Sequence, residues 1–213
     1  LGAMTMLGVR GAEAGEPVLE EDHDASVRAG VRMVVLFDRD VATGGARNVR
    51  SPGQVRALTD YIRERLGVDA VIAVDQEGGR VQRLGKPHGF AGWCSARAFA
   101  ELGEEERWAE ARSMTGTLRD AGVGLNFGPC VDVDVNASSP VIGALGRSFS
   151  GDASVVSACA GRVVRAHAEA GVACVLKHFP GHGSASGDSH LGLVDVSESW
   201  ERERELAPYR CLK

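Results

Sequence analysis

The sequence predicts an α/β protein of the TIM-type (β/α)8 barrel class, with only about the first five βα units present in residues 1–213. Three observations carry this. Short runs that are apolar at nearly every position alternate with longer helix-like segments, the pattern of parallel strands buried on both faces. The strand-like runs are separated by helices rather than by consecutive hairpins. Each strand-like run also ends in charge: Asp38 and Arg39, then Asp75, Glu77 and Arg80, then Asp132 and Asp134, then Lys177 and His178. A barrel builds its site from several strand ends in this way, whereas a doubly wound sheet concentrates its chemistry at one switch point.

The predicted strands are 4–9, 32–37, 70–74, 123–131 and 172–176, apolar and partly β-branched. Ser51, Pro52 and Gln54 form a helix start of N-cap, N1 proline and N3 acceptor. The helix they open, 52–66, carries Val55, Leu58, Tyr61, Ile62 and Leu66 at helical spacing, and Gly67 is expected to stop it in the left-handed region. A second helix spans 104–121. A third spans 153–170, opened by Asp152 and closed by Gly171, and a fourth is expected to begin near Ser197. Five units account for the chain, and a barrel needs eight in about 250 residues. Residues 1–213 are therefore expected to be a single barrel domain cut short at its C-terminal end, 205–213 reading as an interrupted helix.

Composition narrows the function. The formal net charge of −5 argues against nucleic-acid binding, which needs a basic face. No apolar run reaches the roughly 18 residues of a membrane span. Cys94, Cys130, Cys159, Cys174 and Cys211 are scattered, without a CxxC pair, and read as small hydrophobes of a reducing compartment. No signal segment is visible at Leu1. The expected location is the cytoplasm, with an exported lipoprotein whose signal lies elsewhere as the alternative.

Four motifs carry chemistry. DQEGGRVQR (75–83) sets acidic and basic groups around a Gly-Gly pair that permits positive φ and close backbone approach. Asp75 is suited to accept hydroxyl hydrogen bonds and an arginine to clamp an oxygen-rich ligand; a solvated turn with an internal Asp–Arg pair fits equally. The glycines match neither a dinucleotide fingerprint nor a P-loop. In GLNFGPCVDVDVN (124–136), Asn126, Asp132 and Asp134 are spaced like calcium ligands, but the valines make a strand end rather than an EF-hand loop. Arg147 in GRSF (146–149) is a further loop cation.

The densest motif is KHFPGHGSASGDSH (177–190). His178 and His182 have zinc-like spacing, but Pro180 and Gly181 between them rule out a helix presenting both on one face. His182 is equally well read as a structural histidine. Asp188 stands two residues before His190, where it can hydrogen-bond the imidazole, fix its tautomer and raise its basicity. Gly183, Gly187 and Gly192 are candidate hinges for this loop.

Together, DQEGGRVQR, GPCVDVDVN, GRSF and KHFPGHG followed by DSH resemble glycoside hydrolase family 3, in its NagZ-type β-N-acetylglucosaminidase (β-N-acetylhexosaminidase) branch. The resemblance covers most of the chain. It implies that Asp75, Arg83, Arg147, Lys177 and His178 hold the N-acetylglucosamine hydroxyls, that His190 protonates the leaving glycosidic oxygen, and that Asp188 orients it. It implies a retaining mechanism with an aspartate nucleophile beyond residue 213, a carbohydrate substrate drawn from β-N-acetylglucosaminides and muropeptide-derived sugars of peptidoglycan turnover, and no metal or cofactor. Three alternatives stay open. One is an inactive truncated barrel or sugar-binding remnant. Another is a phosphorylase, because a neutral or cationic base repels phosphate less than a carboxylate does. The last is a metal hydrolase using His178, His182, Asp188 and His190.

Overall fold

Five parallel strands form one sheet, in the order of the chain. The computed structural model describes residues 2–213, so Leu1 lies outside the described residues. In sequence the elements are β1 (Met6–Gly8), α1 (Pro17–Arg28), β2 (Met33–Val35), α2 (Pro52–Leu66), β3 (Val71–Val74), the hairpin β4 (Gln76–Gly78) and β5 (Val81–Gln82), α3 (Ala96–Glu101), α4 (Glu104–Asp120), β6 (Leu125–Asn126), α5 (Ala153–Ala170), β7 (Ala173–Cys174), α6 (Arg202–Glu205) and α7 (Ala207–Cys211). The sheet runs β1-β2-β3-β6-β7, with β4 and β5 pairing separately and antiparallel. Register passes evenly along it, Met33 opposite both Met6 and Val71, and Leu125 opposite Ala73 and Ala173. This is the α/β architecture the sequence predicts, as an open sheet with β1 and β7 at its edges rather than a closed barrel.

The strands are shorter than expected. In 123–131 only Leu125–Asn126 is strand, because Pro129 has no N–H to give to a ladder. Pairing resumes past it, where Val131 N–H donates to the Lys177 carbonyl. The helix ends follow their sequence signals more closely. Ser51 Oγ accepts from Gln54 N–H (3.3 Å), and the Gln54 side chain reaches back to Arg50 N–H (2.8 Å). Asp152 caps α5 by accepting from Ser154 N–H (2.8 Å), and Gly171 ends it at φ 71°, ψ 25°. Gly67 is a correction: φ is positive but ψ is 153°, outside the left-handed helical region.

Other differences are larger. The helix expected near Ser197 begins at Arg202, because Asp195 captures both the N–H and the hydroxyl of Ser197. The sequence reading also lacks α1, whose polar composition leaves only Leu19, His23 and Ser26 buried, too few for a clear period. The β4–β5 hairpin and the six-residue α3 were likewise not anticipated.

Two cores flank the sheet. Val34, Leu36, Ile72 and Val74 pack with Leu19, Leu58, Ile62 and Leu118. Val131 and Val133 pack with Ala111, Met114, Val156 and Val163. Together they hold the C-terminal strand ends, which carry the charged residues. Among the described residues no helix is long and apolar enough to cross a membrane.

Candidate active site

Parallel strands aim their C-terminal ends one way, so residues far apart in sequence meet there. Lys177, just past β7, sits with Nζ 2.8 Å from Asp75 Oδ1 and 2.7 Å from Glu77 Oε1. Arg147 grips Glu77 with two donors, Nε at 2.9 Å and Nη2 at 2.7 Å. Arg83 lies 3.4 Å from both Asp75 and Asp38. The result is a row of alternating charge: Asp38, Arg83, Asp75, Lys177, Glu77, Arg147.

Burial would push the Asp75 pKa up, but Lys177 and then Arg83 outweigh it and hold the carboxyl below the usual carboxylate range. Burial would likewise lower Arg147, but the Glu77 carboxylate more than offsets it and keeps the guanidinium firmly charged. The Asp–Arg pair and the clamp of donors thus coexist, with Asp75 taking part in both.

His178 joins the row at its far end. Its Nε2 lies 3.2 Å from Arg147 Nη2 and its Nδ1 lies 2.6 Å from Asp132 Oδ2. Arginine can only donate, so Nε2 accepts; Nδ1 then carries the proton and donates to Asp132. Asp132 is 1% exposed and saturated with donors. It also receives the backbone N–H groups of His178 (3.2 Å) and His182 (2.8 Å) and the Cys130 thiol (3.3 Å). Burial opposes its ionisation, but the His178 ring and these N–H groups hold the pKa below the ordinary aspartate value.

Asp188 and His190 form the pair read from the sequence. Asp188 Oδ1 accepts the His190 backbone N–H (2.9 Å) and pairs with ring Nδ1 (2.7 Å), which leaves Nε2 as the free nitrogen. The backbone bond, then the ring bond, lowers the Asp188 pKa. The His190 side chain is 81% exposed and, among the described residues, bonds only to Asp188. Its loop touches the charged row through Ser189 Oγ, 3.4 Å from His182 Nε2, and the His182 ring, edge-on to His178 at 5.9 Å. Burial pushes His182 below the ordinary histidine pKa.

The hinge assignment needs correction at Gly183. A Cβ there would stand 1.7 Å from the Val133 carbonyl oxygen, so this glycine permits close packing and anchors the loop. Gly192 has open space around it. The metal set is also corrected: His178, His182, Asp188 and His190 do not converge. Among the described residues, the group whose ligand atoms lie within 4.8 Å of one another is Cys130, Asp132 and His178. These three are already hydrogen-bonded among themselves, beside the Arg147 cation. All five cysteines are free, with Cys130 and Cys159 buried.

Residues 16–212 match the model of the glycosyl hydrolase family 3 N terminal domain. The chain belongs to glycosyl hydrolase family 3. Within this family it is similar to a beta-hexosaminidase of Pseudomonas aeruginosa, 40% identical over 78% of this chain and 50% of that protein. It superposes on a beta-N-acetylglucosaminidase of the family from Paenibacillus sp. str. FPU-7 with a TM-score of 0.83 and 32% identity, covering 99% of this chain and 38% of the other. NagZ from Neisseria gonorrhoeae, solved in complex with N-trifluoroacetyl-D-glucosamine, gives a TM-score of 0.79 at 28% identity, over 98% of this chain and 58% of that one. The chain spans about half the length of the relatives it matches.

In this family 3 chain, Asp75, Arg83, Arg147, Lys177 and His178 come together, while Asp188 and His190 form a separate pair. Two members of the cluster have no sugar-holding role in the sequence reading. Glu77, with its side chain only 4% exposed, bridges Lys177 and Arg147. Asp132 orients His178. Both were visible as acids delivered at strand ends, but their pairings were not, because each partner lies on a different strand end or loop.

Proposed function

We propose that this chain holds the sugar-binding and acid/base half of a retaining β-N-acetylhexosaminidase that removes terminal β-linked N-acetylglucosamine, in peptidoglycan turnover. The observation that carries the reading is Lys177 held between Asp75 and Glu77 at the strand ends, flanked by Arg83, Arg147 and His178. Such a row offers charged acceptors and donors to vicinal hydroxyls, which bond more strongly to ionised partners than to neutral ones. Asp75 accepts sugar hydroxyl protons, and Lys177, Arg83 and Arg147 donate to the hydroxyl oxygens. Asp132 holds His178 with one face toward the sugar.

For the chemistry, His190 gives an Nε2 proton to the glycosidic oxygen as the bond breaks, then takes one from the attacking water. Asp188 anchors Nδ1 and stabilises the imidazolium. An imidazole has one nitrogen for the anchor and one for the substrate, so it can give a proton in the first step and take one in the second. The retaining reaction needs a second carboxylate as nucleophile. We assign that group to a part of the protein outside residues 1–213, because Asp75 and Asp132 are committed to partners and Asp195 holds Ser197.

A second reading, sugar binding without turnover, is favoured by one observation: His190 contacts none of the charged row. The test is hydrolysis of an aryl β-N-acetylglucosaminide by the full-length protein, alongside calorimetric binding of N-acetylglucosamine. Turnover lost in Lys177→Ala and His190→Ala supports the enzyme. Binding without turnover supports the module, and neither binding nor turnover removes both.

A further inference from the structure

Glu205 is the last residue of α6 and only 1% exposed, an uncommon place for an acid without a partner cation. Of the arginines nearest in sequence, Arg204 turns to Glu201 and the Gly151 carbonyl, and Arg210 turns to Glu203. The Glu205 carboxylate instead takes two backbone donors. Oε2 accepts the Gly183 N–H at 3.1 Å, and Oε1 accepts the Glu201 N–H at 3.3 Å. A buried carboxylate costs free energy that an apolar side chain there does not, yet here its two oxygens tie together two points far apart in sequence.

Those points are the ends of the segment that carries Asp188 and His190. On the first side the chain is fixed as far as Ala185. Asn136 donates its N–H to the Gly183 carbonyl at 3.0 Å and its Nδ2 to the Ala185 carbonyl at 3.2 Å, and Gly183, Ser184 and Ala185 are buried. On the second side Glu201 opens α6, and the Glu205 N–H donates to the Glu201 carbonyl at 2.8 Å. From 186 to 200 no residue is buried. Apart from Ser189, which meets His182, the hydrogen bonds of 186–200 among the described residues stay within the segment. A segment with so few outside contacts is placed by its ends. Gly181 makes room for the tie: its φ is 135°, and a Cβ there would lie 2.8 Å from both Cβ and Oε2 of Glu205.

We propose that Glu205 is a positioning residue for the acid/base pair: by holding both ends of segment 184–200 on one carboxylate, it sets where His190 stands relative to the sugar-holding row. The inference rests on the acid/base reading of His190 and deepens it. The row itself does not depend on Glu205, because Lys177, Asp75, Glu77 and Arg147 hold one another. Loss of Glu205 therefore displaces the proton donor and leaves the sugar bound. A displacement of about 1 Å at a reacting group costs up to about 100-fold in rate.

The test is a double-mutant cycle on the full-length protein, read with a glycoside of poor leaving group and with an activated aryl glycoside. Glu205→Ala is expected to slow the first about 10- to 100-fold and the second much less, with calorimetric binding of N-acetylglucosamine unchanged. In Glu205→Ala/His190→Ala the loss should equal that of His190→Ala alone, because a displaced donor and a missing donor are the same defect. Glu205→Gln keeps one acceptor oxygen and nearly the same shape. It is expected to fall between the parent and Glu205→Ala, and it carries the cycle if Glu205→Ala does not fold. No slowing in the variant that folds, equal slowing of both glycosides, or additive losses in the double variant would each overturn the positioning role while leaving His190 as the acid. If His190→Ala itself spares the glycoside of poor leaving group, the acid reading fails and the positioning role falls with it.

Discussion

His178 donates its Nδ1 proton to Asp132 at 2.6 Å and accepts at Nε2 from Arg147 at 3.2 Å, so one ring joins a buried carboxylate to a charged guanidinium. The direction follows from Arg147, which has only protons to give. A second consequence is that the loop 178–182 is tied down at three atoms by one aspartate.

Asp132→Asn is expected to destabilise the chain by about 1–3 kcal/mol, the cost of leaving buried donors without a good acceptor. A thermal melt reads this as a drop of several degrees. A melt unchanged from the parent would mean that the loop is held by other contacts.

The acid dependence has a definite sign. Asp132 and Asp75 both have folded pKa values below the ordinary aspartate value. The stability each contributes is complete above the unfolded value of about 3.9 and is lost as pH falls through the depressed folded value. Melting temperatures of the parent should fall steeply as pH drops below about 4, and the fall should be shallower in Asp132→Asn. Parallel curves would show that Asp132 does not carry the acid lability.

Removing Glu77 should do more harm than removing an exposed acid. It neutralises both Lys177 and Arg147, and breaking one partner out of a buried pair costs about 3–5 kcal/mol. Glu77→Ala is expected to melt well below the parent, whereas Glu203→Ala, which loses only the exposed Arg210 pair, should melt within about a degree of it.

Gly183 and Gly192 offer a matched pair. Alanine at 183 drives a Cβ into the Val133 carbonyl and should cost about 1–3 kcal/mol or more through overpacking, loosening the loop to proteolysis. Alanine at 192 meets open space and should leave cleavage unchanged. Equal protease sensitivity would count against Gly183 as the anchor.

In the full-length protein, His190→Ala should slow hydrolysis of a glycoside with a poor leaving group by about 10²–10⁴-fold, the usual worth of a positioned acid. An activated aryl glycoside, which leaves without help, should lose much less in its first step. Equal losses would argue against His190 as the acid. Running the same reaction at high phosphate settles the phosphorylase alternative: sugar 1-phosphate among the products supports it, and free sugar alone removes it.

The parallel sheet was readable from its apolar runs alternating with helices, and the capped helices at 52–66 and 153–170 and the Asp188–His190 pair because each is a local relation. Ser51 reaches Gln54, Asp152 reaches Ser154, and Asp188 reaches His190, all within three residues. The strand ends showed which residues would gather, since parallel strands deliver their last residues to one side of the sheet. What the tertiary structure alone decided was who meets whom. Glu77 finds Arg147 across 70 positions, and Asp75 finds Lys177 across 102. Spacing carries no information about such pairs, because the distance between two strand ends depends on their order in the sheet and on the packing beneath. For the same reason Gly183 reads as a hinge in sequence and is an anchor in space: only the approach of the Val133 carbonyl makes its missing side chain a requirement.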